Sequence, residues 1–183
     1  MAFLRAINVG GRAVKMTVLK SLFESMKFAD VETFIASGNV IFRSKAAAPK
    51  LETQIEKGLE QALGYSVSVF LRTPAEIATV AERDPFGKQI PAGGRMFVGF
   101  LRSTPIPAVR KKVAALSTPS DEFAVVGREL YWLCSVPSMK SIMTGSTLEK
   151  SLGQPATLRS VSTVRRLAEK YRVREQGAGR KAQ

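Results

Sequence analysis

Residues 3–9 form an apolar run that reads as a strand. In the following KMTVLKSLFESMKF, Leu19, Leu22, Phe23 and Met26 recur at the spacing of one helical face. VETFIA and VIFRS are two further apolar runs. They flank Ser37-Gly38-Asn39, and glycine and asparagine tolerate the positive φ that a tight hairpin requires. The pattern returns to helical spacing in PKLETQIEKGLEQALG, where Pro49 suits the first turn and Leu51, Ile55, Leu59 and Leu63 form a stripe that Gly64 ends. YSVSVFLRT then reads as a fourth strand, so the order is βαββαβ.

A linking helix follows, opened by the capping box Thr73-Pro74-Ala75-Glu76. Beyond the loop QIPAGG the same order recurs. RMFVGFLRS is a strand, and TPIPAVRKKVAALS a helix with Val109, Val113 and Leu116 on its inner face. EFAVV and ELYWLCSV make a hairpin about Gly127-Arg128. A helical stretch near 139–152 stops at Gly153, and ATLR is a closing strand. Val161, Val164, Leu167, Ala168 and Tyr171 mark a last helix, and the tail after it has too few apolar residues to order itself. The words FLRA, FLRT and FLRS at 3–6, 70–73 and 100–103, with the repeated order of elements, point to an internal duplication.

The expected fold is therefore α+β: two pseudo-repeated ferredoxin-like (βαββαβ) halves with antiparallel sheets, plus a C-terminal helix. Residues 1–73 form the first half, 74–94 a linking helix and loop, and 95–159 the second half. Residues 160–172 form the C-terminal helix, and 173–183 a mobile basic tail.

Composition removes whole classes of chemistry. The chain has no histidine and one cysteine, Cys134, which excludes histidine-based nucleophilic catalysis, the usual zinc sites and any internal disulfide. Cys134 lies in an apolar run and is expected in the core. No catalytic residue, metal or cofactor is assigned, and an enzyme acting on an anionic substrate is the least supported reading. No apolar run is long enough to span a membrane, and Arg5 and Asn8 break the N-terminal run before it forms a signal core, so a cytoplasmic location is expected. The net charge of +13 favours anionic partners.

In a βαββαβ unit with strand order 4-1-3-2, the first and second strands run the same way. The exit of strand 1 and the hairpin of strands 2 and 3 then meet at one end of the sheet. Asn8, Gly10, Gly11 and Arg12 come together there with Ser37, Gly38 and Asn39, near a helix start. The leading reading is a site for a small anionic or phosphate-bearing ligand. Arg5 and Arg12 supply charge, Asn8 and Asn39 orienting hydrogen bonds, and Gly10 and Gly11 backbone donors. There is no GxGxxG and no P-loop pattern, so neither a dinucleotide nor a Walker-type site is expected.

The alternative is nucleic-acid binding through Arg165, Arg166, Lys170, Arg172 and Arg174 on the last helix and the start of the tail. Arg5, Arg43, Arg72 and Arg102 stand in or beside apolar strands, where they either line a groove for anions or reach water at the strand ends. Glu52, Glu56 and Glu60 lie on one helix face. They make a row and not a cation cage, and read as a solvated face. Asp121 and Glu122 open a strand and read as turn residues.

LRAINVGG, SGNVIF, VVGRELY and PATLRSVSTVRRLAE, in this order, resemble the bacterial family known as domain of unknown function 1697. The resemblance implies two related ferredoxin-like halves and no assigned reaction. The chain departs from the family pattern at Ala6, where glycine is usual, and at Ser160-Val161, where Asn-Trp is usual. The family's Ser-Lys-Leu element appears only as the altered GSTLEKSL.

Overall fold

A computed structural model describes residues 1–5, 7–8, 13–35, 38–135 and 143–179, with side chains to 172. The chain divides into two units, Met1–Thr73 and Pro74–Gln183.

The first unit runs β1 (Ala2–Leu4), α1 (Met16–Ser25), β2 (Ala29–Thr33), β3 (Asn39–Arg43), α2 (Ala48–Leu63) and β4 (Val69–Leu71). Its antiparallel sheet has the order β2-β3-β1-β4. Leu19 and Phe23 of α1 and Leu51, Ile55 and Leu59 of α2 are buried against Leu4, Val40, Val69 and Leu71 of one sheet face. The helix periodicity thus marks the faces that the strands need covered. Phe28 and Phe42 close this core, with ring centroids 4.6 Å apart. Gly64 ends α2 in the left-handed conformation, its N–H on Glu60 O at 2.9 Å.

The second unit begins with α3 (Pro74–Glu82). It continues with β5 (Arg95–Leu101), α4 (Pro107–Ala114), β6 (Asp121–Val126), β7 (Glu129–Cys134), α5 (Gly145–Leu152), β8 (Ala156–Ser160) and α6 (Val161–Gly179). Its sheet order is β6-β7-β5-β8, also antiparallel. Leu101, Val113, Phe123, Leu130, Cys134, Leu148 and Leu152 form its core, with Trp132 between Phe97 and Phe123. Among the described residues no helix is long and apolar enough to cross a membrane.

The registers about the central strands β1 and β5 match between the two units. Phe3 pairs with Asn39 on one side and Phe70 on the other; Phe100 pairs with Glu129 and Thr157. Leu4 therefore corresponds to Leu101, Leu71 to Leu158 and Arg72 to Arg159. The last pair share a contact as well as a position. Each arginine is buried, and each donates Nη1 to the carbonyl of the leucine before it, at 2.7 and 2.8 Å. Arg159 also donates to Thr157 Oγ1 at 2.9 Å, and burial lowers its guanidinium from the ordinary value to about 10.

Several expectations change. The expected helix near 139–152 begins at Gly145, where the Thr144 hydroxyl accepts the Thr147 N–H; residues 139–142 lie outside the described residues. The last helix continues past Arg172 to Gly179, because residues 173–176 are ordinary helix formers and nothing ends the helix before the glycines. The second strand covers 29–33 in place of 31–36, since Asp30 sits in a bulge with φ +52° and Ile35 has already turned into the hairpin. Asp121 is no turn residue: it is fully buried, accepting Trp132 Nε1 at 2.7 Å and the Ser120 hydroxyl at 2.8 Å.

The acidic row of α2 is solvated only at Glu60, with Glu52 buried and Glu56 half-buried. Glu52 accepts the N–H of Leu71 at 3.2 Å, Glu56 that of Val69 at 3.0 Å, and Glu60 the Ser66 hydroxyl at 2.6 Å. β4 is an outer strand, so its outward N–H groups lack a strand partner and the carboxylates supply the acceptors. Glu149 of α5 does the same for the outer strand β8, accepting the N–H of Ala156 at 2.9 Å.

Candidate functional site

β1 and β2 both run antiparallel to β3, so the exit of β1 and the β2–β3 hairpin meet at one end of the first sheet. The contact is direct. Leu4 N–H donates to Gly38 O at 2.8 Å. Gly38 has φ +71°, and a Cβ placed on it would lie 2.6 Å from Ile7 Cγ2 and 3.2 Å from Leu4 Cβ. Only glycine fits that backbone and that gap. Beside it, at the hairpin tip, Ile35 holds φ +50° while remaining exposed. A β-branched residue in the left-handed region is strained.

Asn8 accepts the N–H of Val14 on its Oδ1 at 2.7 Å. Asn39 is buried. Its Nδ2 donates to Phe34 O at 3.0 Å, while its own carbonyl accepts the Phe34 N–H at 2.9 Å. Both amides thus have protein partners. Arg5 is half-buried at the same end, its backbone N–H on Ser68 O at 2.9 Å. Gly10, Gly11, Arg12 and Ser37 lie outside the described residues. Tyr65 was not foreseen here, yet its hydroxyl reaches Ile7 O at 3.4 Å from across the unit. Only its place at the start of the strand run that becomes β4 hints at this.

The strand arginines separate. Arg43 is exposed and pairs with Asp30 at 3.1 Å, and Arg102 is exposed, whereas Arg72 is buried. The basic set on α6 is partly committed to holding that helix on α3. Arg165 Nε donates to Ala81 O at 3.4 Å and Arg172 pairs with Glu82 at 2.5 Å. Lys170 Nζ lies 5.7 Å from the centre of the Tyr171 ring, Arg166 is exposed, and the side chain of Arg174 lies outside the described residues. Cys134 is buried, as its apolar surroundings predict. Among the described residues no group of His, Cys, Asp or Glu is arranged to hold a metal ion.

Comparison with known proteins bears on fold and family. The chain is similar to the structure of conserved bacterial protein SP0830 from Streptococcus pneumoniae, with a TM-score of 0.70 at 20% identity. The match covers 92% of this chain and 95% of that one. At that identity the likeness is one of fold. No curated protein matches the chain. A family model described as "Protein of unknown function (DUF1697)" matches residues 1–131, well over half of the sequence and including both loops of the candidate site. The chain belongs to this family.

Proposed function

We propose that the protein binds a small anionic, phosphate-bearing ligand at the end of the first unit where residues 8–12 leave β1 and residues 37–39 close the hairpin. The observation that supports this most is the seat of Gly38 against Ile7 and Leu4, which brings the exit of β1 and the hairpin to one place. The left-handed Ile35 beside it is the sort of strain that folds retain where a loop has work to do. In this reading Gly10 and Gly11 present backbone N–H groups, Arg5 and Arg12 neutralise the ligand, and Asn8 and Asn39 hold the loops in shape. The start of α1 at Met16 adds ~0.3–1 kcal/mol for an anion near its N-terminus. The matched registers of the two units support descent from one duplicated βαββαβ unit. Binding of nucleic acid by α6 is less favoured, because Arg165 and Arg172 are engaged with α3.

The test is a thermal-shift panel of inorganic phosphate, sugar phosphates and nucleotides. At least one is expected to raise the melting temperature, and Arg12→Ala should abolish the rise. No response in the panel, or a response that survives Arg12→Ala, overturns the reading.

A further inference from the structure

The second unit repeats the contact at its own hairpin. Leu101 N–H donates to Arg128 O at 2.9 Å, as Leu4 does to Gly38 O, so the β6–β7 tip is anchored at the exit of β5. The tip is built differently, however. By register Arg128 stands where Gly38 stands in the first unit, so a long charged side chain replaces the glycine that Ile7 covers there. An open cleft of about 340 Å³ lies between the tip, Thr104 beyond β5, and α3.

Charged groups of both signs line this cleft. Arg83 and Arg128 stand with Glu76 and Glu129 over a floor that includes the buried Val80. Glu76 and Arg128 form an ion pair at 2.6 Å with side chains 42% and 32% exposed. Such a half-exposed pair is worth only ~0–1 kcal/mol, so a ligand can exchange for it. Arg83 is half-buried and makes no hydrogen bond or ion pair among the described residues. A guanidinium partly withdrawn from water, and with no ion-pair partner among the described residues, favours an incoming carboxylate.

We infer that this cleft is a binding site for a small zwitterion, a free α-amino acid. Arg83 and Arg128 take its carboxylate, and Glu76 and Glu129 its ammonium group. A simple anion would face the two carboxylates and a simple cation the two arginines; a molecule carrying both charges meets each with its opposite. The volume, near the lower end of the ~300–1,000 Å³ of ligand pockets, suits an amino acid better than a nucleotide.

The experiment titrates the full-length protein with the proteinogenic amino acids, following backbone amide shifts by NMR. The best binder is then compared with its carboxamide and its N-acetyl derivative. Saturable shifts at the amides of Thr104, Gly127 and Arg128 are expected. Both blocked derivatives, and Arg83→Ala, should weaken binding by about tenfold, the scale of one charged hydrogen bond. Arg83→Ala should keep the wild-type unfolding midpoint, since Arg83 has no partner to lose among the described residues. Three results would each overturn the proposal: no saturable shift with any amino acid, an N-acetyl derivative that binds as tightly as its parent, or an Arg83→Ala protein of unchanged affinity. Arg12→Ala should leave these titrations unaltered, so this site and the phosphate site of the first unit fail separately.

Discussion

The indole N–H of Trp132 donates to the buried carboxylate of Asp121 at 2.7 Å, joining two neighbouring strands through their side chains. Removing the acceptor with Asp121→Ala strands the indole N–H and leaves the Ser120 hydroxyl only Thr118 Oγ1, at 3.2 Å, for an expected cost of ~1–3 kcal/mol. Asp121→Asn keeps an acceptor for the indole and should cost less. Trp132 is the only tryptophan, so its fluorescence in urea follows this unit directly. Equal midpoints for wild type and Asp121→Ala would refute the expectation.

Two glycines with positive φ separate strain from crowding. Gly127→Ala meets only Glu129 Oε2 at 3.4 Å and should cost ~1–2 kcal/mol for the left-handed backbone alone. Gly38→Ala adds a clash 2.6 Å from Ile7 Cγ2, an overpacking cost of a further ~1–3 kcal/mol. The truncation Ile7→Ala in the Gly38→Ala background should recover part of that second loss. Chemical denaturation of the single and double variants reads both quantities.

Glu56→Ala leaves the Val69 N–H without its acceptor and is expected to destabilise the protein by ~1.5–3 kcal/mol, the range for hydrogen bonds to charged groups. Glu56→Gln retains a carbonyl acceptor and should lose less. The neighbouring Lys57 is exposed, so Lys57→Ala should leave the unfolding midpoint within ~0.5 kcal/mol of wild type.

Arg159 gives a dependence on alkaline pH. Burial places its folded value, about 10, below that of the unfolded chain. Above about 10 the unfolded state therefore binds more protons than the folded one, and stability from this group rises with pH. Below that value the charge is carried in both states and the contribution is flat. The stability difference between wild type and Arg159→Met should be constant from neutral pH to about 10 and then shift in favour of wild type. A difference that moves the other way would contradict the burial argument.

Much of this architecture is legible from spacing alone. Leu51, Ile55 and Leu59 mark a helix face because period 3.6 is a property of the chain itself, and Gly64 ends the helix by its own backbone freedom. The meeting of residues 7 and 38 follows from strand directions, which the order of elements implies. What spacing does not carry is which atoms lie opposite. Glu52 and Glu56 look like surface residues until the unpaired edge of β4 is laid beside them. Asp121 looks like a turn residue until Trp132 is placed on the next strand. The echo of FLRA with FLRS marks equivalent strands, whereas FLRT at 70–73 corresponds to Thr157–Ser160, where only the Leu-Arg pair survives.

The acidic side chains of α2 and α5 also decide where either sheet can grow. A peptide that extends a sheet by strand addition needs the N–H groups of an outer strand. Along β4 and β8 the N–H groups of Val69, Leu71 and Ala156 already have carboxylate acceptors from within the same unit. Docking of a foreign strand, whether in recognition or in aggregation, is thereby steered to the opposite margins, β2 in the first unit and β6 in the second.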